Sequence, residues 1–152
     1  MTKSRSEITG NITVRLLNGA DTEDALSLYR ALTKGPKDVD PQSFAVVLNH
    51  DGTFVFGAEL DGQIVSMVTL HILPNVTWGG RPYALIENVV TAQAHRGQGC
   101  ARRVMQTVIE KAWAANCYKI MLLTSQARGA KGFYEAVGFN DDNKYGMIIR
   151  ST

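Results

Sequence analysis

One continuous stretch restricts the fold more than anything else in the chain. It runs from YALIENVVT (83–91) through the tetrad Arg96-Gly97-Gln98-Gly99 and a helical-period run from about Cys100 to Asn116, and closes with YKIMLLTS (118–125). An apolar run, a turn with two glycines, an amphipathic segment and a second apolar run spell a β-α-β unit. Its crossover is expected to be right-handed and its strands parallel. Ala101, Val104, Met105, Val108, Ile109 and Ala112 make one apolar stripe, with Arg102, Arg103, Gln106, Glu110 and Lys111 largely off it. Function in such a unit is expected where the first strand ends. A helix N-terminus offers unpaired amides and roughly half a positive charge, and glycines in the preceding turn let a phosphate reach them. Arg96 can add a charge-assisted contact on the rim. Two familiar phosphate loops fail on spacing. No Gly-Lys-Ser/Thr closes the turn, and the third glycine of GxGxxG is replaced by Arg102. A lone RGxG would read as a plain glycine turn with a surface arginine; the flanking strand, helix and second strand tip the balance to a pyrophosphate cradle.

The rest of the chain must supply a sheet for this unit to join. NITVRLL (11–17) alternates as a strand, and GADTEDALSLYRAL reads as a helix capped by Asp21 or Thr22, with Ala25, Leu28 and Leu32 on its apolar side. DPQSFAVVLNHDG reads as a short helix with Pro41 in its first turn. TFVFGAEL (53–60) and QIVSMVTLHIL (63–73) are strands joined by Asp61-Gly62, a tight hairpin signal. ARGAKGFYEAV is a short helix stopped by Gly138, and KYGMIIR is a final strand. The predicted order is β-α-α-β-β-β-α-β-α-β, an α/β mixed sheet with helices on its faces. No repeat or boundary interrupts it, so 1–152 is read as a single domain with a loose polar segment at 1–10.

Composition narrows the function classes. A net charge of +2 gives no electrostatic case for a nucleic-acid partner. No apolar run is long enough to span a bilayer and MTKSRSEITG has no signal-peptide core, so a cytoplasmic protein without a membrane partner is expected. Cys100 and Cys117 fall at opposite ends of one predicted helix, beyond disulfide reach, and His50, His71 and His95 are scattered. No metal site is expected.

VVTAQAHRGQGCARRVM resembles the acetyl-CoA motif of the GNAT (GCN5-related) N-acetyltransferases, with Arg96, Gly99 and Ala101 filling Arg/Gln-x-x-Gly-x-Gly/Ala. KIMLLTSQARGAKGFYEAVGF resembles the family's second signature, a strand, a short helix carrying Phe-Tyr, and Gly-Phe. The resemblance covers about residues 11–150. IENVV and NCYKI are, more weakly, similar to the glucosamine-6-phosphate N-acetyltransferases.

This resemblance implies the GNAT fold: a mostly antiparallel mixed sheet flanked by about four helices. It implies transfer of the acetyl group of acetyl-CoA, a cosubstrate, to a primary amine of a small molecule by direct attack in a ternary complex. Arg96, Gly97, Gln98, Gly99, Cys100 and Ala101 would hold the pyrophosphate, mostly through backbone. Val89, Val90 and Thr91 would pair with the pantetheine arm beside a bulge near Glu87-Asn88. Tyr134 would protonate or hydrogen-bond the leaving thiolate, the Val89 amide would polarise the carbonyl, and Glu87 would act as base, directly or through water.

Each role has a rival. Tyr134 could simply pack between helix and sheet, and Glu87 could pair with Arg81. Cys100 could be an activated thiol at a helix N-terminus, or a small residue packed beside the coenzyme. Trp78 could line an acceptor pocket or cover the sheet edge. Where relatives carry an asparagine before the tyrosine helix, this chain reads Ser125-Gln126-Ala127-Arg128-Gly129, and Asn88 stands where the sugar-phosphate subfamily often has aspartate. The alternatives are a non-catalytic acyl-CoA binder or sensor and a protein-amine acetyltransferase. Room is left for a homodimer, although no interface is legible.

Overall fold

The computed structural model describes residues 11–151; the first ten residues, expected to be loose, and position 152 lie outside the described residues. The chain runs β1 (Thr13–Leu16), α1 (Thr22–Leu32), α2 (Pro41–Asn49), β2 (Thr53–Leu60), β3 (Gln63–Leu73), β4 (Tyr83–Thr91), α3 (Cys100–Ala114), β5 (Ile120–Met121) and α4 (Lys131–Ala136). The strands form one sheet in sequence order, antiparallel from β1 to β4 and parallel between β4 and β5.

Local chemistry accounts for the boundaries. Asp61 and Gly62 both take positive φ (51° and 79°), the geometry of a two-residue hairpin turn joining β2 to β3. At α2 the Asp40 carboxylate accepts from the Ser43 amide at 2.8 Å, and Pro41 sits in the first turn, where no amide is lost to the helix. Ahead of α1, Asn18 and Asp21 form a reciprocal capping box around a 3-10 turn. Asp21 is buried and takes two 2.8 Å hydrogen bonds from the Arg15 guanidinium. That guanidinium holds the Asp21 carboxyl below the usual carboxylate range against the opposing effect of burial.

Two cores lie on the two faces of the sheet. On one, Phe56, Val68, Leu70 and Ile86 meet Val104, Met105 and Val108 of α3, with Phe133 and Phe139 at the margin. On the other, Val55, Ile64, Met67 and Val90 meet Ala25 and Leu28 of α1 and Phe44 of α2. Gly57 permits the close approach on this second face, since a Cβ there would lie 2.7 Å from Leu17 Cδ2. The predicted stripe of α3 is its buried side: Val104, Met105, Val108 and Ala112 are fully enclosed. Truncating one such residue, Met105, to alanine costs on the order of 2–5 kcal/mol.

Three expectations need correction. The strand read over 118–125 pairs in register with β4 only at Ile120 and Met121, beside a bond from the Ala84 amide to the Lys119 carbonyl, because β4 bends away beyond that point. The helix read over 127–137 is a six-residue helix preceded by a 3-10 turn (Gln126–Arg128), the two separated by Gly129 at φ 65°. KYGMIIR (144–150) is not a strand in the described chain: no backbone hydrogen bond joins it to the sheet, and Tyr145, Met147 and Ile149 are exposed.

Candidate active site

The site grows from one irregularity in β4. Met67 faces Val90 and Thr69 faces Glu87, so two steps along β3 span three along β4. The extra residue is absorbed at Asn88, whose φ of 52° is left-handed, a conformation asparagine tolerates better than most side chains. This is the bulge expected near Glu87-Asn88. It turns β4 away from the following segment, which stays in register only at Ala84–Ile120 and Leu85–Met121. Beyond that point a slot opens, with Ile86 to Thr91 as one wall and Leu122 to Ser125 as the other. The cavity measures about 830 Å³ and reaches the N-terminus of α3 at one end and α4 at the other.

The glycine tetrad forms the rim. A 3-10 turn at Gln93–His95 reverses the chain, and the Arg96 Nε donates to the Thr91 carbonyl at 3.3 Å, tying the loop to the strand it leaves. Gly97 and Gly99 take φ of 75° and 82°, and a Cβ on either would meet nothing within 4 Å. Gly99 is the N-cap of α3 and supplies no side-chain acceptor, so the first-turn amides face open space. The buried His95 Nδ1 has no hydrogen-bond partner among the described residues, and His95 lines the same cavity. An anion at this loop would meet free amides and a helix N-terminus.

Arg96, Gly97, Gly99, Cys100 and Ala101 all line the cavity, as do Val89, Val90 and Thr91. Gln98 is the exception. It lies on a neighbouring cavity with Asn11, Thr13, Arg102 and Arg103. Cys100 is 1 % exposed, and burial pushes its thiol up although Arg103 opposes the shift. At this helix N-terminus desolvation wins, so Cys100 is a packed small residue and not an activated thiolate.

Glu87 and Tyr134 both line the cavity. Glu87 is exposed, and the pairing with Arg81 does not form: Arg81 instead donates to the carbonyls of Asn116 (3.2 Å) and Cys117 (3.1 Å). Tyr134 packs edge-on against Phe133 and Phe139, with centroids at 5.1 and 6.2 Å. Burial pushes its phenol up, and the Arg128 cation acts in the opposite direction. Trp78 does not line this cavity; it is 68 % exposed and stacks on Tyr118 with ring centroids 5.3 Å apart.

Sequence reasoning expected helices one and two and the 74–82 loop to shape the acceptor pocket but, Trp78 apart, named no residue of theirs for it, and it did not single out His95. The end of α1 reaches the cavity through Ala31 and Leu32, and Arg128 Nη2 donates to the Leu32 carbonyl at 2.6 Å, closing one side of the slot. The partners are 96 positions apart, and no local pattern could have joined them. His95 could have been found, since it sits next to the arginine of the motif.

The comparisons agree with this geometry. The sequence profile of the acetyltransferase (GNAT) family matches residues 20–139. A glucosamine 6-phosphate N-acetyltransferase of Trypanosoma brucei brucei is 32% identical over 133 residues, 85% of this chain and 89% of that protein. Among solved structures, an Agrobacterium tumefaciens protein assigned to the acetyltransferases superposes with a TM-score of 0.85 at 41% identity, covering 91% of this chain and 99% of its own. A Trypanosoma brucei acetyltransferase follows with a TM-score of 0.79 at 26% identity, covering 92% and 100%. Matched in sequence and fold over most of its length, the chain belongs to the acetyltransferase (GNAT) family and is an acetyl-CoA-dependent N-acetyltransferase.

Proposed function

We propose that the chain transfers the acetyl group of acetyl-CoA to a primary amine of a small molecule, by direct attack while both substrates are bound. The observation that carries the reading is the bulge at Asn88, since one slot then joins the glycine rim, Glu87 and Tyr134. The residues fit the coenzyme: the cavity is large enough for a ligand of that class, the Gly97 and Gly99 positions are open in front, and the amides of the first α3 turn are free. When bound, acetyl-CoA supplies an activated thioester.

Loop amides of Arg96 to Ala101 hold the diphosphate, Gln98 contributing only backbone, and main-chain groups of Val89, Val90 and Thr91 orient the pantetheine arm as an added strand. The Val89 amide donates a hydrogen bond to the acetyl oxygen. Glu87, exposed on the cavity wall, takes the proton from the acceptor's ammonium group, directly or through water. Tyr134, held neutral by burial, keeps its proton at Oη for the departing sulfur. Either Ser125 or Arg128 takes over the contact that relatives make with an asparagine before the tyrosine helix, and the bond of Arg128 to Leu32 closes the slot from the α1 side.

An amino sugar phosphate heads the acceptor classes to be tried, on similarity to the trypanosomal enzyme. The chain is read as a single domain acting in the cytoplasm on a small-molecule amine, with neither nucleic acid nor membrane as partner and with room for a homodimer. No helix among the described residues is long and apolar enough to cross a membrane. The test is an acceptor panel of amino sugars and their phosphates, aminoglycosides, polyamines, amino acids and peptides, followed by release of free thiol. Acetyl transfer to one class, with intersecting initial-rate plots, is the expected result. Tight coenzyme binding without release on any amine overturns the catalytic reading and leaves an acyl-CoA binder.

A further inference from the structure

The face of the sheet beneath α1 and α2 is only partly roofed. The helices cover it over Ile64, Met67 and Val90, whereas His71 and Leu85 are half-buried and Glu87 is exposed. Side chains alternate along a strand, and cross-strand partners share a face. The register pairs Thr53–His71, His71–Leu85 and Thr69–Glu87 therefore put Thr53, His71 and Glu87 on this one. A polar chain is built into it. The buried Thr53 Oγ1 lies 2.8 Å from His71 Nδ1 and 2.8 Å from the Nδ1 of His50, the residue that ends α2. Gly52 makes this contact possible: at φ 78° it turns the chain hard onto β3, where a Cβ would lie 2.6 Å from the Ile72 carbonyl oxygen. The Ile72 amide donates in return to the Gly52 carbonyl at 2.7 Å. Neither ring lines the coenzyme slot.

We propose that this half-open face is the acceptor side of the site, and that His71 holds a hydroxyl group of an amino alcohol, such as an amino sugar, beside Glu87. A threonine hydroxyl has one proton. Between two neutral rings it donates to one Nδ1 and must accept from the other, so the two histidines are held in opposite tautomers. Nε2 stands across each ring from Thr53, and no hydrogen bond from the described residues reaches it. His71 thus presents a fixed donor in one arrangement and a fixed acceptor in the other. An ammonium group suits only the acceptor and an anion only the donor, whereas a hydroxyl, which gives and takes, suits both. His71 and Glu87 are diagonal neighbours on adjacent strands, roughly 7–8 Å apart at the backbone. Hydrogen bonds of about 2.8 Å, one from each side chain, leave between them the width of a short carbon link joining hydroxyl to amine. Fixing the hydroxyl sets the amine where Glu87 can take its proton. The proposal deepens the function proposed above by naming the acceptor's chemistry, and rests on that reading for Glu87 and for the transfer itself.

The test compares three amines as acceptors with the full chain and saturating acetyl-CoA: glucosamine, trans-2-aminocyclohexanol, and cyclohexylamine, which lacks the hydroxyl. Thiol release should give a kcat/KM at least about tenfold higher for the two hydroxylated amines, chiefly through KM. His71→Phe keeps a planar ring and should bring that ratio close to one, with coenzyme affinity unchanged. His71→Gln, which still donates and accepts, should restore part of the ratio. A purely structural role for His71 would slow all three amines alike. That outcome, or equal use of hydroxylated and plain amines by the parent, overturns the proposal alone. So does transfer to other amines of the acceptor panel but to none of these three. No thiol release with any amine, despite coenzyme binding, overturns it together with the function proposed above.

Discussion

Tyr134 carries opposing influences that make it a testable acid. The neutral phenol is the donor, so anything that favours the neutral form extends activity to higher pH. Burial does so and Arg128 works against it, with burial the larger. The alkaline fall of kcat assigned to Tyr134 is therefore expected above the ordinary tyrosine range of about 10. Arg128→Gln removes the opposing cation and should move the fall further upward, which a kcat–pH profile in the alkaline range will read; a downward shift contradicts the assignment. Tyr134→Phe keeps the edge-on packing with Phe133 and Phe139 but lacks the proton. It should lower turnover by about 100-fold while leaving coenzyme affinity nearly unchanged, measured as kcat against equilibrium binding. The tyrosine was legible from its Phe-Tyr neighbourhood. Its electrostatics were not, because the bond that fixes Arg128 joins residues far apart in sequence.

Among elements, the junction of β4 and α3 came through most clearly, because glycine spacing and apolar periodicity are local properties. Strands 53–60, 63–73 and 83–91 have the predicted bounds. β5 and α4 came out shorter, since their lengths depend on the bend of β4 and on one left-handed glycine. At the junction, Gly99→Val meets two penalties, a β-branched side chain at φ 82° and an isopropyl group over the loop amides. Coenzyme affinity should fall more than tenfold by calorimetry, while melting shifts by only a few degrees, as expected for roughly 1–2 kcal/mol. The α1 entrance tests stability instead. Asp21→Ala leaves Arg15 with its 3.4 Å contacts to Glu59 and a 3.2 Å bond to the Leu16 carbonyl, and leaves the Asn18 amide without its acceptor. Arg15 is about one-third exposed, so the loss should be about 2 kcal/mol, below the cost of breaking a fully buried pair. The Asp21 carboxyl is depressed in the folded chain, so its contribution is present above the unfolded value of about 3.9 and disappears as pH falls through the folded one. Urea titrations at pH 7 and pH 3 should therefore differ more for the parent than for the variant.

For the molecule as a whole, the alternation of 144–150 is legible and its destination is not. Period two says that a segment can be a strand but names no neighbour, and among the described residues no backbone hydrogen bond joins this segment to the sheet. A ligand that binds only the folded chain raises its stability by mass action. The melting temperature of the parent should climb as coenzyme is raised, and that of the Gly99→Val variant should climb less; scanning calorimetry across the series decides it.

The two register pairs that hold β5 to β4 carry a further consequence. Residues 122–125 form one wall of the coenzyme slot beyond the last register pair with β4. A ligand laid between the diverging strands would offer their main-chain groups the partners that the strands no longer give each other. The coenzyme would then be a structural element as well as a reactant, and the sheet complete only when the slot is filled.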